Sequence, residues 1–199
     1  MTDTLIILLM IIVSYLIGCL STARLIARHF KQLNIYKVGT GHPDTENIYL
    51  NVSKSLGVLA GIVDTLKMYL YLSLLQYFYT KINITGEVLE FFLLVTGFAM
   101  IIGHCLPITD RFKGGRGLFT FIGYGAFFIF EPMLIVSALA ITVILFFKQI
   151  RFAQYMLVLL PPFVSYFFPA YEHLFRYLLV ASILMGIINF IVSKRLGEI

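Results

Sequence analysis

The sequence predicts an all-α integral membrane protein: a single domain over residues 1–199 with about seven transmembrane helices, the N-terminus outside and the C-terminus cytoplasmic. Three observations carry this expectation. Hydrophobic residues make up 60% of the 199 and charged residues only 13%, whereas a soluble domain runs roughly 45–50% apolar and about 25% charged. Mean hydropathy is +0.93, more apolar surface than a chain this short can cover with a polar shell. Finally, the 15 Lys plus Arg are unevenly shared between the connections. Together these exclude a soluble globular domain and a disordered chain.

A spanning helix needs about 20 apolar residues, because a helix rises about 1.5 Å per residue through about 30 Å of hydrocarbon. Residues 4–23 form one such stretch. The residues before it carry no Lys or Arg and are followed by no small-residue cleavage site, so they do not read as a cleaved signal. Residues 55–80 form a second stretch, interrupted by Asp64 and Lys67. These two lie three apart, share a helix face and can pair, and an intramembrane pair faces the bundle interior. Residues 91–109, 152–171 and 177–193 are further spans. Residues 118–147 are too long for one span and short for two, with Glu131 and Pro132 near the middle as a natural break.

The charge rule decides how to read that stretch. With two short spans there, Arg24, Arg28, Lys31, Lys37, Lys54, Arg111, Lys113, Arg116, Lys148, Arg151, Lys194 and Arg195 fall on one side. That is 12 of the 15 cations. Lys81 and Arg176 lie opposite, and Lys67 lies within a span. With one span instead, the split falls to nine against five, so seven spans are preferred. Cys19 and Cys105 do not suggest a disulfide framework. The Phe and Tyr residues along the spans read as lipid-facing or packing groups.

Two connections on the cation-rich side combine glycines with polar and charged groups ahead of an apolar helix. One runs from Asn34 to Asn47 and contains Gly39, Thr40, Gly41 and His42. The other runs from Gly103 to Gly117 and contains His104, Lys113, Gly114, Gly115 and Arg116. Such loops expose backbone N–H groups, and a helix N-terminus favours an anion, so a phosphate-bearing ligand at the inner membrane surface fits. A tight turn carrying only topogenic charge fits the second loop equally well. No P-loop spacing is present. A metal site using His42 or Cys19 lacks regular ligand spacing, so no metal and no cofactor is expected.

At these loops the sequence resembles the bacterial acyl-phosphate:glycerol-3-phosphate acyltransferases, small integral membrane enzymes. The resemblance covers essentially the whole chain. Its strongest part is GHxxP, from Gly103 through His104 to Pro107, followed by FKGGRG from Phe112 to Gly117. The family typically reads GHxxP and then FKGGKGVAT, so Arg116 conserves the charge of the second Lys and Thr120 keeps the Thr. The family's VGSGNxGATNxxR is here VGTGHPDTENIYL from Val38 to Leu50. Gly39, Gly41 and Asn47 match and Thr40 keeps a hydroxyl, while His42, Asp44, Glu46 and Leu50 depart. The family's DVLKG is DTLKM from Asp64 to Met68. Its terminal HRxNI is GIINF from Gly186 to Phe190, which keeps Asn189 and loses the His.

The resemblance implies acyl transfer from acyl phosphate to glycerol 3-phosphate, giving lysophosphatidic acid and phosphate, the first step of phospholipid synthesis. It implies Thr40, Lys113 and Asn189 as catalytic groups. As substrate-binding residues it implies Gly39, Gly41, His42, Asn47, Lys54, His104, Gly114, Gly115, Arg116 and Gly117. Lys54 enters as a replacement for the missing Arg: it lies four residues after Leu50, one turn along the same face if the segment is a continuous helix. The expected location is the bacterial cell (inner) membrane, with the active face cytoplasmic. The partners are the two substrates and membrane lipid, without nucleic acid. The alternative is a catalytically degraded paralogue that binds or regulates at the membrane. A transporter is the weaker third reading, since Asp64 and Lys67 are the clear intramembrane charges and no inverted repeat is visible.

Overall fold

The structure, a computed structural model, describes residues 2–195, with side chains described from Leu5. Its secondary structure is entirely helical. The helices are α1 (Thr2–Gly18), α2 (Thr22–Lys31), α3 (Thr45–Asn51), α4 (Lys54–Lys81), α5 (Gly86–Cys105), α6 (Leu118–Phe128), α7 (Phe130–Phe147), α8 (Ile150–Tyr166) and α9 (Phe175–Arg195). The long helices are apolar on every side, as a lipid solvent requires. On α1, for instance, Leu5, Leu8, Leu9, Ile12 and Leu16 are exposed.

Among the described residues, five segments are long and apolar enough to cross a membrane: Leu5–Lys31, Lys54–Lys81, Gly86–Asp110, Phe130–Phe147 and Glu172–Arg195. Helix α8 has 17 residues and α6 only 11. At about 1.5 Å per residue, α6 rises roughly 16 Å, half of a hydrocarbon core. The 118–147 stretch therefore does divide, but unequally. The break falls at Ile129, and Pro132 sits in the first turn of α7, where its missing N–H would have had no intrahelical partner. The first span also differs from the expected 4–23: α1 stops at Gly18 and a second helix begins after Ser21, whose hydroxyl accepts from Arg24 N. Helix α2 is amphipathic, burying Thr22, Ala23, Ile26 and Ala27 and ending in Arg28, His29 and Lys31.

Glycines let two helix pairs approach backbone to backbone. A Cβ on Gly103 would stand 2.0 Å from the Tyr15 carbonyl, and one on Gly18 would stand 2.1 Å from the Met100 carbonyl, so α1 and α5 cross where neither has a side chain. Tyr15 Oη then donates to the Leu106 carbonyl (2.8 Å) and accepts from Ile108 N (3.0 Å), closing the end of α5. Helix α6 crosses α4 the same way: a Cβ on Gly123 would lie 2.3 Å from the Thr65 carbonyl, and Thr65 Oγ1 donates to the Phe119 carbonyl at 3.1 Å.

Helix α8 contains Pro161 and Pro162. Pro162 has no N–H to give the Val158 carbonyl four residues earlier. Ser182 Oγ of α9 supplies the missing donor at 2.7 Å, in a fully buried position. In lipid an orphaned carbonyl has no water to turn to. Ser182→Ala is therefore expected to lower stability by about 1–3 kcal/mol. Ser73→Ala, which removes an exposed hydroxyl bonded to its own helix, should cost almost nothing. Thermal unfolding of both variants in detergent checks this.

Candidate active site

The site lies where the two glycine-containing connections meet the end of α5 and the start of α6. Beneath it, α4 carries Asp64, which is 2% exposed. A carboxylate in such surroundings must be partnered. Thr22 Oγ1 donates to it at 2.6 Å, Lys67 Nζ lies at 3.4 Å and His104 Nδ1 at 3.9 Å. The expected Asp64–Lys67 pair is present. Lys67 also donates to the Leu20 carbonyl (2.9 Å), which lies in the break between α1 and α2.

The first connection is organised by Asn47, which is fully buried. Its amide donates to the carbonyls of Val38 (2.9 Å) and His42 (2.8 Å), and its Oδ1 accepts from Thr40 N (3.2 Å) and Asn51 Nδ2 (2.9 Å). Asn47 N in turn donates to Asp44 Oδ1 (2.9 Å), which caps α3. Gly39 and Gly41 take φ of +54° and +74°, the left-handed region where a side chain costs most. Thr40 is exposed at the loop tip, while His42 is closed off from solvent altogether.

The second connection packs onto the end of α5. A Cβ on Gly114 would stand 2.3 Å from the His104 carbonyl, and one on Gly115 would stand 2.9 Å from Asp44 Cβ and 3.2 Å from His104 Nε2. A Cβ on Gly117 would stand 2.5 Å from Cys105 Sγ. These glycines thus bring the loop against both His104 and the first connection. Further ties hold its near end. Arg24 pairs with Asp110, Tyr36 Oη donates to the Lys113 carbonyl (3.4 Å), and the Arg195 guanidinium lies over the Phe112 ring at 5.6 Å. Burial, reinforced by Asp110, pushes the Tyr36 phenol up to about 12, so it remains a donor.

Arg116 turns inward and joins the two connections. Its Nη1 lies 2.6 Å from Glu46 Oε2 and 3.7 Å from Asp44 Oδ2. Gln154 Nε2 of α8 donates to the same Glu46 oxygen at 2.8 Å. Asp44, Glu46, Asp64, His104, Arg116 and Gln154 line a cavity of about 30 Å³.

Of the sequence-expected residues, the structure places Gly39, Thr40, Gly41, His42, Gly114, Gly115, Arg116 and Gly117 in these two connections, Asn47 in α3 and His104 at the end of α5. Lys113 belongs to the same loop but is exposed. Asn189 stands apart, with its amide donating to the Met185 carbonyl of its own helix at 3.0 Å. The premise for Lys54 is corrected. Helix α3 ends at Asn51 and α4 begins at Lys54 after a break through Val52 and Ser53. Lys54 therefore does not sit one turn above Leu50, and both side chains are exposed. Among the described residues, nothing lies within 4 Å of a Cβ added to Gly186, the position of the family's His. Gln154 was not expected; its one signal is an uncharged polar residue within an otherwise apolar stretch.

Burial raises the pKa of the Asp44 carboxyl despite the opposing pull of Arg116. A carboxyl raised on folding contributes stability that is present below its unfolded value and is lost as pH rises through its folded value. Asp44→Asn keeps an acceptor for Asn47 N and removes that loss. The variant is expected to unfold at a higher temperature than the parent at pH 8, with the difference shrinking toward pH 4. Unfolding midpoints measured across that range check it.

The family model described as glycerol-3-phosphate acyltransferase matches residues 8–196. A glycerol-3-phosphate acyltransferase of Streptococcus thermophilus is 29% identical over 186 residues, covering 90% of this chain and 84% of its own. One from Endomicrobium trichonymphae is 32% identical over 162 residues, covering 80% and 76%. Among solved structures, PlsY (YgiH), described as an integral membrane glycerol 3-phosphate acyltransferase, superposes in its glycerol 3-phosphate form with a TM-score of 0.76. The identity is 21%, over 95% of this chain and 88% of that one. Its lysophosphatidic acid form gives 0.74. The fold is shared, the family model spans nearly the whole sequence, and this chain belongs to the glycerol-3-phosphate acyltransferase family.

Proposed function

We propose that the protein transfers an acyl group from an acyl phosphate to the 1-hydroxyl of glycerol 3-phosphate, forming lysophosphatidic acid and releasing phosphate. The observation that carries this reading is the junction itself. Within a family matched over residues 8–196, two glycine-containing connections converge on the cation Arg116, with Lys113 exposed beside it. Both substrates and both products carry phosphate, which cations and backbone N–H groups hold well. The start of α6, immediately after Gly117, adds the positive end of a helix.

In this reading the acceptor hydroxyl attacks the acyl carbon, and the bond from that carbon to the phosphate oxygen breaks. The phosphate leaves with the electron pair and takes up the hydroxyl proton, so no separate protein base is required. Lys113 neutralises the departing phosphate, and Arg116 with the Gly39–Asn47 and Gly114–Gly117 backbones positions the reactants. Thr40 and Asn189 are the remaining candidate catalytic groups. Asn189 has to turn away from the Met185 carbonyl to serve. Seven crossings, with the N-terminus outside and the C-terminus and site on the cytoplasmic face of the bacterial inner membrane, would put 12 of the 15 cations on one side, the arrangement that the charge rule prefers.

A second reading, a relative that keeps the scaffold without the chemistry, is favoured by one observation. Leu50 and Gly186 replace the two residues that the family motif has as Arg and His. Phosphate release from acyl phosphate, followed in purified protein with glycerol 3-phosphate, separates the two. Turnover that falls about a hundredfold or more in Lys113→Ala supports the enzyme. A folded sample with no turnover on any of several acceptor alcohols supports the second reading.

A further inference from the structure

We infer that Glu46 is a specificity-determining residue that competes with the substrate phosphate for Arg116 and so sets how tightly this site takes a phosphate monoester. The inference rests on the reading of Arg116 as a phosphate-binding group. Arg116 Nη1 is 2.6 Å from Glu46 Oε2 and 3.7 Å from Asp44 Oδ2, so the nitrogen that a phosphate would take is turned toward carboxylate oxygens. Their charge has the wrong sign for a phosphate. The cavity beside it is small, about 30 Å³, and a phosphate that takes the place of Glu46 on Nη1 displaces that carboxylate.

Of the two carboxylates, Glu46 is the one able to move. Asp44 is committed as the cap of α3, accepting from Asn47 N at 2.9 Å, and its side chain is 9% exposed. Glu46 is the more exposed at 21%. It also has a second donor in Gln154 Nε2 at 2.8 Å, so its carboxylate keeps a partner when Arg116 leaves it. Glu46 further occupies a position where the family motif has an uncharged Thr, which makes the competition a property of this chain. Asp64, Lys67 and His104 lie below the cavity, and among the described residues the ion pair of Glu46 is with Arg116.

Steady-state phosphate release by the full-length protein in detergent tests this, with glycerol 3-phosphate varied and inorganic phosphate as the competing probe. Glu46→Gln keeps the size and the hydrogen-bonding oxygen of Glu46, and Glu46→Thr restores the motif residue. Both are expected to lower the KM for glycerol 3-phosphate and the inhibition constant of inorganic phosphate about tenfold, with kcat changing less. The gain should vanish when Arg116→Ala is added. The rise in unfolding temperature produced by inorganic phosphate, larger in the Glu46 variants than in the parent, reports the same exchange without turnover. If Arg116→Ala weakens phosphate in both measurements while neither Glu46 variant strengthens it, the competition is overturned and Glu46 merely steadies Arg116. If Arg116→Ala leaves both unchanged, the reading of Arg116 itself fails.

Discussion

A carboxylate buried among apolar helices organises this end of the molecule. Asp64 cannot be left unpaired away from water, and its partners come from different elements: Thr22 from α2, Lys67 from its own helix and His104 from α5. The hydrogen bond from Thr22 ties α2 to α4, and His104 brings α5 to within 3.9 Å of the carboxylate. Lys67 extends the effect to the Leu20 carbonyl, in the break that lets α1 give way to the amphipathic α2. His104 extends it upward, because Gly115 rests on the imidazole and Gly114 on the carbonyl of the same residue. The loop that carries Lys113 and Arg116 is thus seated on a platform that a single buried charge holds in register.

Gly114, Gly115 and Gly117 are spaces that backbone, Asp44 and Cys105 would otherwise collide with. Their small size is a packing requirement before it is a ligand-binding one. The two roles are compatible, since the close approach also carries Arg116 to the α3 carboxylates. The cationic turn expected on topological grounds alone has one residue, Arg116, turned inward to a cavity, and another, Lys113, left at the surface.

Much of the fold was legible because lipid imposes a coarse code. Runs of apolar residues long enough to cross appear as α4, α5, α7 and α9 close to their expected limits. The Asp64–Lys67 pair followed from helical spacing. What was illegible depended on local chain geometry. The break after Gly18 has no proline to announce it; it depends on Ser21 as a cap and on Lys67 from another helix. The break before Lys54 separates two residues whose spacing suggested one helix face. In the site, the motifs singled out Gly39 and Arg116, which lie in the two connections, Asn47, which lies in α3, and His104, which lies at the end of α5. The ligation of Arg116 by Glu46 and Asp44 required knowing that α3 folds back onto the loop. Gln154 lies 108 positions from Glu46 in sequence, a pairing no local pattern contains.

The proline pair of α8 has an effect beyond repairing a helix. The hydrogen bond that Pro162 cannot make is made across a helix interface, from Ser182 of α9 to the Val158 carbonyl. Helix α8 consequently cannot turn about its own axis or slide along α9 without stripping a carbonyl bare in lipid. Gln154 lies one helical turn before Val158, about 6 Å along the same axis. Its azimuth is therefore pinned by a bond belonging to the bundle core, and the amide that meets Glu46 is aimed by α9, a helix the cavity does not touch.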